Sequence, residues 1–185
     1  MAAGRGLRVA LAMGVFALAV VGGILLLGRR GPRLAPDFAV TDLDGRTVRL
    51  SALRGRVVLL NVWTTWCPPC REEMPSMEQL HRKLGDRDFV LLAVSQDEDG
   101  KRAVEPLVRE TGVTFRVLID PERQVGDRYG VWGYPESFVI DRNGFVVERV
   151  IGPRDWTAPA HVAALEALMA AGDGRGASPA PRGPS

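Results

Sequence analysis

Cysteine is scarce in this chain: 185 residues contain two, Cys67 and Cys70, and both fall within four positions. Histidine is as rare, with His81 and His161 standing far apart. A structural zinc site takes four ligands, and this inventory argues against one. No metal is therefore expected. Lysine is nearly missing too: Lys83 and Lys101 are the only two, so arginine carries almost all the positive charge. Those arginines are scattered, and the net charge is +2. Without a basic stripe or a basic patch interleaved with aromatics, nucleic acid is not an expected partner. The sequence has no internal repeat.

Charge is absent from one long stretch, VALAMGVFALAVVGGILLL, residues 9–27. Arg5 and Arg8 precede it, and Arg29, Arg30 and Arg33 follow. A bilayer core of ~30 Å takes about 20 apolar residues in a helix, so the run is long enough to span. A cleaved signal peptide is the alternative. It calls for a shorter apolar region and a small-x-small site directly after it, and LLLGRRGPR offers none. The expectation is an uncleaved single-pass anchor. Arginines on both sides leave its orientation open. Three segments follow from this: 1–33 as anchor (or signal) and linker, 34–171 as the folded domain, and 172–185 as a tail. The tail, GDGRGASPAPRGPS, has the composition of a disordered segment.

Within the domain, FAVTDLDGRTVRL (38–50) places two strand-like runs around Asp44-Gly45, a hairpin signal. RVVLLNVW (56–63) reads as a buried central strand. A helical pattern covers 68–84, with Met74, Met77, Leu80 and Leu84 as its core stripe. Pro75 lies deep enough in it to predict a kink. Strands are expected at 89–95 and 115–119, with helices at 101–111 and 121–129. SFVID and FVVERVI around Asn143-Gly144 read as an antiparallel pair, and 157–171 as a closing helix. Alternating elements followed by a late hairpin define an α/β fold: a mixed central sheet with helices on both faces.

The chemistry concentrates in Cys67-Pro68-Pro69-Cys70. As a purely structural crosslink the pair would close a tiny loop and constrain little. Dithiol–disulfide exchange suits the context better. Cys67 falls where a buried strand meets a helix N-terminus, and the helix dipole there favours thiolate, the attacking species. Cys70, one turn on, shares that face closer to the core. It can attack a mixed disulfide formed at Cys67 and release the substrate. Cys67 is thus the nucleophile and Cys70 the resolving thiol. Pro68 and Pro69 carry no N–H, so two donors that could have stabilised the Cys67 thiolate are missing. The expected consequence is a less acidic Cys67 and a more reducing couple. Trp63 alternates with core positions and reads as packing, whereas Trp66 is expected at the exposed apolar surface around the nucleophile. Glu72 and Glu73 are expected on a solvated helix face, where acids suit the first turns.

WCPPCREEMP, the preceding VVLLNVWTT and the later YGVWGYPESFVIDRNG together resemble the membrane-anchored thioredoxin-like family of TlpA, ResA and CcmG (DsbE) proteins. The resemblance covers about residues 35–170 and rests on two separated motifs in the right order. It implies a thioredoxin-like fold with an N-terminal β-hairpin and a central insertion at 100–119. It implies that Pro135 faces the C-x-x-C with a cis Tyr134–Pro135 bond, leaving backbone free for an extended substrate. Tyr134 and Glu136 would then border the substrate together with Trp66. Glu136, directly after the proline, is similar to CcmG-like proteins, which act in cytochrome c maturation. ResA-like proteins carry a glutamate near the site in the region of QDED (96–99). Glu98 is the best match and Asp97 the next, as a proton relay for Cys70.

The function so implied is reduction of protein disulfides outside the cytoplasmic membrane. No cofactor is expected beyond the redox-active Cys67–Cys70 disulfide. The implied partners are apocytochrome c or a thiol protein of a maturation system as substrate, and a membrane thiol carrier as electron donor. Two other readings remain. APDF and Thr64-x-x-Cys67 are similar to thiol peroxidases, but position 60 is leucine where those carry proline, and Cys70 does not fit. A copper chaperone on a similar fold would use C-x-x-x-C and a distal histidine; the spacing here is one residue short.

Overall fold

The computed structural model describes residues 33–85 and 87–171. The apolar run at 9–27 and the tail at 172–185 lie outside the described residues. Among the described residues no helix is long and apolar enough to cross a membrane.

The centre is β4 (Val57–Trp63), in which every residue is buried. Valine and leucine on both faces of the pleat suit a strand covered on both sides. β4 pairs in parallel with β5 (Phe89–Ser95) and antiparallel with β7 (Glu136–Ile140). β6 (Arg116–Ile119) continues the parallel part, and the hairpin of β2 (Ala39–Asp42) and β3 (Thr47–Arg49) adds to β6 antiparallel. On the other side β7 pairs with β8 (Phe145–Ile151), and a two-residue β1 (Arg33–Leu34) closes the order β1-β8-β7-β4-β5-β6-β2-β3. The mixed sheet expected from the sequence is thus present; β1 is an addition that two residues could not signal.

Helices α1 (Pro68–Leu84), α2 (Lys101–Thr111) and α4 (Pro159–Ala170) cover one face. Met74, Met77, Leu80 and Leu84 of α1 pack there with Leu59, Val104 and Leu165. The opposite face is covered by α3 (Gln124–Tyr129) and the chain leading through the hairpin, with Phe38, Val40, Tyr129 and Val131 against Leu60 and Leu92. α1 continues as one element through Pro75.

Two boundaries depart from expectation for visible reasons. α3 begins at Gln124 because Arg123 sits in the left-handed region (φ 58°). The Asp120 carboxylate then accepts the Gln124 and Val125 amides at 3.0 and 2.9 Å, supplying partners at the helix start. α4 begins at Pro159, whose missing N–H is harmless in the first helical turn.

Leu59 is fully buried in the central strand. Truncating it leaves a cavity as well as losing apolar burial, so Leu59→Ala is expected to lower stability by about 2–5 kcal/mol, measured by urea unfolding.

Candidate active site

β4 delivers the site. Its last residue, Trp63, is fully buried, as a packing residue should be. Two residues later the chain is fastened by Asp97, which is itself buried. The Asp97 carboxylate accepts the Thr65 amide at 2.9 Å, the Thr65 hydroxyl at 2.6 Å and the Ser95 hydroxyl at 2.7 Å. This fixes the turn that turns strand into helix. Cys67 then occupies the N-cap of α1 in extended backbone (φ −93°, ψ 104°).

Cys67 and Cys70 form a disulfide, with Cα atoms 5.3 Å apart. Both are buried, Cys70 the more deeply at 1 % exposure against 4 %. The Cys70 amide donates to Cys67 Sγ at 3.2 Å. Pro68 and Pro69 supply no N–H in between, so Cys70 provides the one amide among the first three helical positions.

The Tyr134–Pro135 peptide is cis, as the resemblance implies. Its loop meets the cysteine loop through Tyr134 and Trp66, whose rings pack edge to face with centroids 5.7 Å apart. The Tyr134 hydroxyl donates to Gln96 at 3.0 Å, and Gln96 donates in turn to Asp120 at 2.9 Å. Burial pushes the Tyr134 phenol pKa up, so it stays the donor. Trp66 is 69 % exposed, and Trp132, which sequence reasoning did not single out, is 79 % exposed. Trp66, next to Cys67 in the chain, thus holds an apolar ring in water at the edge of the disulfide.

Three acidic residues sit elsewhere than expected. Glu98 is exposed, three places beyond the end of the sheet pairing at Ser95, while its neighbour Asp97 turns inward. Glu136 is buried and ion-paired to Arg149, which also donates to the Gly130 carbonyl at 2.8 Å. A carboxylate so engaged holds the Pro135 strand in place and offers no exposed side chain. Glu73 is not on a solvated face; only 4 % of it is exposed. One turn on from Cys70, it shares the inner face of α1.

The Glu73 carboxyl is surrounded by neutral donors. Asn61 of β4 donates to Oε1 at 2.7 Å and the Arg154 amide to Oε2 at 3.1 Å. Trp156 Nε1 also faces it, without closing a hydrogen bond of good geometry. The same Asn61 Nδ2 reaches Ser137 Oγ of β7 at 2.9 Å. Burial dominates these hydrogen bonds and raises the Glu73 pKa from 4.5 to about 7. A buried carboxyl near neutrality, one helical turn from the resolving thiol, has the proton affinity that a proton acceptor needs. The sequence did carry a signal: Glu73 precedes Met77 by four and Leu80 by seven, so it lies on the core stripe.

This geometry has close counterparts. The profile of the AhpC/TSA family matches residues 33–149, and the chain belongs to that family as a thioredoxin-like thiol-disulfide oxidoreductase. It is 43% identical over 118 residues to the thiol-disulfide oxidoreductase ResA of Bacillus anthracis, covering 64% of this chain and 68% of that protein. A solved chain put forward as the thiol:disulfide interchange protein DsbE of Chlorobium tepidum aligns with a TM-score of 0.65 at 38% identity. That alignment covers 76% of this chain and 95% of the other. A thioredoxin-family thiol:disulfide interchange protein of the same species aligns at 0.62 and 28% identity, over 75% of this chain and 97% of its own.

Ionisation of Glu73 gives a test. Its folded pKa lies above its ordinary value, so the folded state holds the extra proton between about pH 4.5 and 7. Stability is therefore full below about 4.5 and falls as pH rises through 7. The loss is on the order of 3 kcal/mol. Urea unfolding across this window should show that slope, and Glu73→Gln should abolish it.

Proposed function

We propose that this oxidoreductase is a reductant of protein disulfides, held on the outer side of a cytoplasmic membrane by the apolar run at 9–27. The observation that carries the reductive direction is the amide inventory around Cys67. One backbone N–H, from Cys70, reaches the sulfur, and the two prolines remove the others. A thiolate with few donors is stabilised little, and the dithiol form holds its electrons loosely.

In the reductive cycle the Cys67 thiolate attacks one sulfur of the substrate disulfide. A Cys67–substrate bond forms, the substrate S–S bond breaks, and the second substrate sulfur leaves as thiolate. Glu73 takes the proton of Cys70, whose thiolate attacks Cys67 Sγ. The mixed disulfide breaks, the first substrate sulfur leaves, and the Cys67–Cys70 disulfide remains. Two electrons have passed to the substrate, whose thiolates are protonated from solvent. A membrane dithiol carrier returns the electrons. The Tyr134 backbone at the cis bond pairs with the extended substrate chain, and Trp66, Tyr134 and Trp132 provide its apolar bed. Thiols awaiting haem in apocytochrome c, or a thiol protein of the same maturation system, are the substrates this chemistry fits.

The full-length chain, equilibrated against glutathione or dithiothreitol, should show a potential near that of thioredoxin, ~ −270 mV. A value near ~ −120 mV would make it an oxidant and end the proposal. Cys70→Ser should accumulate mixed disulfides through Cys67, and Cys67→Ser none. Faster turnover of peroxide than of protein disulfides would revive the peroxidase reading.

A further inference from the structure

Ser76 lies in the middle of α1, on the turn after Glu73, where a serine has no standard capping task. Its hydroxyl nevertheless makes three contacts. It faces the Glu73 carbonyl at 2.8 Å and the Arg154 carbonyl at 3.3 Å, and it accepts the Trp156 amide at 3.2 Å. Two of the three reach the segment after β8, about 80 residues away in sequence. The start of that segment is held separately, because the Gly152 amide donates to the carbonyl of cis-Pro135 at 2.9 Å. Between these two anchors lies the Arg154 amide, the donor to Glu73 Oε2.

We infer that Ser76 is a positioning residue for the Glu73 carboxyl: its hydroxyl clamps the 152–156 segment onto α1 and so presents the Arg154 amide to Oε2. The clamp acts on the proton affinity of the acid rather than on the cysteines directly. Without it the segment keeps its Pro135 anchor but is free to lift from α1, and the carboxylate loses one of two hydrogen bonds. Loss of a donor to the charged form favours the neutral acid.

The charges around Glu73 do not substitute for that amide. From α1, Glu72 lies on the exposed side, and Cys70 is bound in the disulfide. From β4 and β7 come Asn61 and Ser137, both uncharged. The Arg154 guanidinium is drawn away to Glu148 of β8 at 2.6 Å. Asp155 engages Thr157, and His161 of α4 packs against the Trp156 ring at 6.2 Å. A groove of about 440 Å³ lined by Glu72, Glu73, Ser76, Arg154 and Asp155 opens beside the clamp, so the segment has space to move into.

The inference rests on the proposed role of Glu73 for its consequence, not for its test. In the full-length oxidised chain the Glu73 carboxyl is titrated by carbon-13 NMR with no substrate present. Ser76→Ala should raise the midpoint by about one pH unit. Ser76→Thr, which keeps the hydroxyl, should restore it. Arg154→Ala keeps the amide and should move it much less. If the alanine variant does not fold, Ser76→Cys, close in size and a weak hydrogen-bonding group, should give the upward shift instead. A midpoint unmoved by loss of the hydroxyl, or moved as far by Arg154→Ala, overturns the inference. The pH–rate profile for reduction of oxidised glutathione should follow the same shift. A moved midpoint with an unmoved rate profile would leave the clamp standing and remove Glu73 from the exchange reaction.

Discussion

Asn61 imposes the constraint around which the site is arranged. It is the one amide-bearing side chain in a strand otherwise made of valine, leucine and tryptophan, and it is buried. A polar group so placed costs stability unless it is hydrogen-bonded. Asn61 is satisfied by reaching both Glu73 of α1 and Ser137 of β7. That single requirement joins the cysteine-bearing helix, the central strand and the strand that follows the cis proline. It also gives a buried carboxyl a partner, since Asn61 Nδ2 carries two donors and Ser137 takes only one of them. The buried acid is thus part of how the sheet and helix fit together, and its raised proton affinity is a by-product of that fit.

The division between rim and interior follows. Trp66 and Trp132 stand at the surface, and the half-buried Tyr134 holds the Trp66 ring edge to face while its hydroxyl is fixed by Gln96. Beneath them, Asp97, Asp120 and Glu136 are each fully engaged: by Thr65 and Ser95, by Gln96 and the α3 amides, and by Arg149. The loops that carry Cys67 and Pro135 are therefore held by short-range polar contacts, while the exposed rings remain available. Rigid support under an apolar rim keeps the geometry of the reactive centre fixed while the rim stays open to solvent.

Much of this was legible from residues in order. The valine- and leucine-rich run ending in Cys67, the Asp44-Gly45 and Asn143-Gly144 turns, and the helical spacing after Pro68 each led to an element that is present. What was not legible depends on direction. Past the end of β5, alternation no longer predicts which side chain turns inward, and the resemblance to ResA-like proteins points to the glutamate Glu98 where it is Asp97 that turns in. Glu136 finds Arg149 through the register of two strands, with Phe138 opposite Arg149 and Glu136 opposite Ile151, and that register is not written locally. Glu73 is hard to read for another reason. Its charge argues for a solvated face although it lies on the stripe that the neighbouring methionines mark, and only the donors arriving from β4 and the 152–156 segment make that position tolerable.

The outer strands of the sheet bear on how such a protein survives its own work. A catalyst that handles partly unfolded chains meets segments ready to add themselves to any free strand. Here β1 has two residues and β3 three, and β3 presents Thr47 and Arg49 to water on either side of its one buried valine. β3 offers few backbone groups in register for an incoming chain, whereas β1 covers only a short part of the seven-residue β8, where Val147 and Ile151 stand exposed. The sheet is thus guarded against strand addition at β3 and less so along β8.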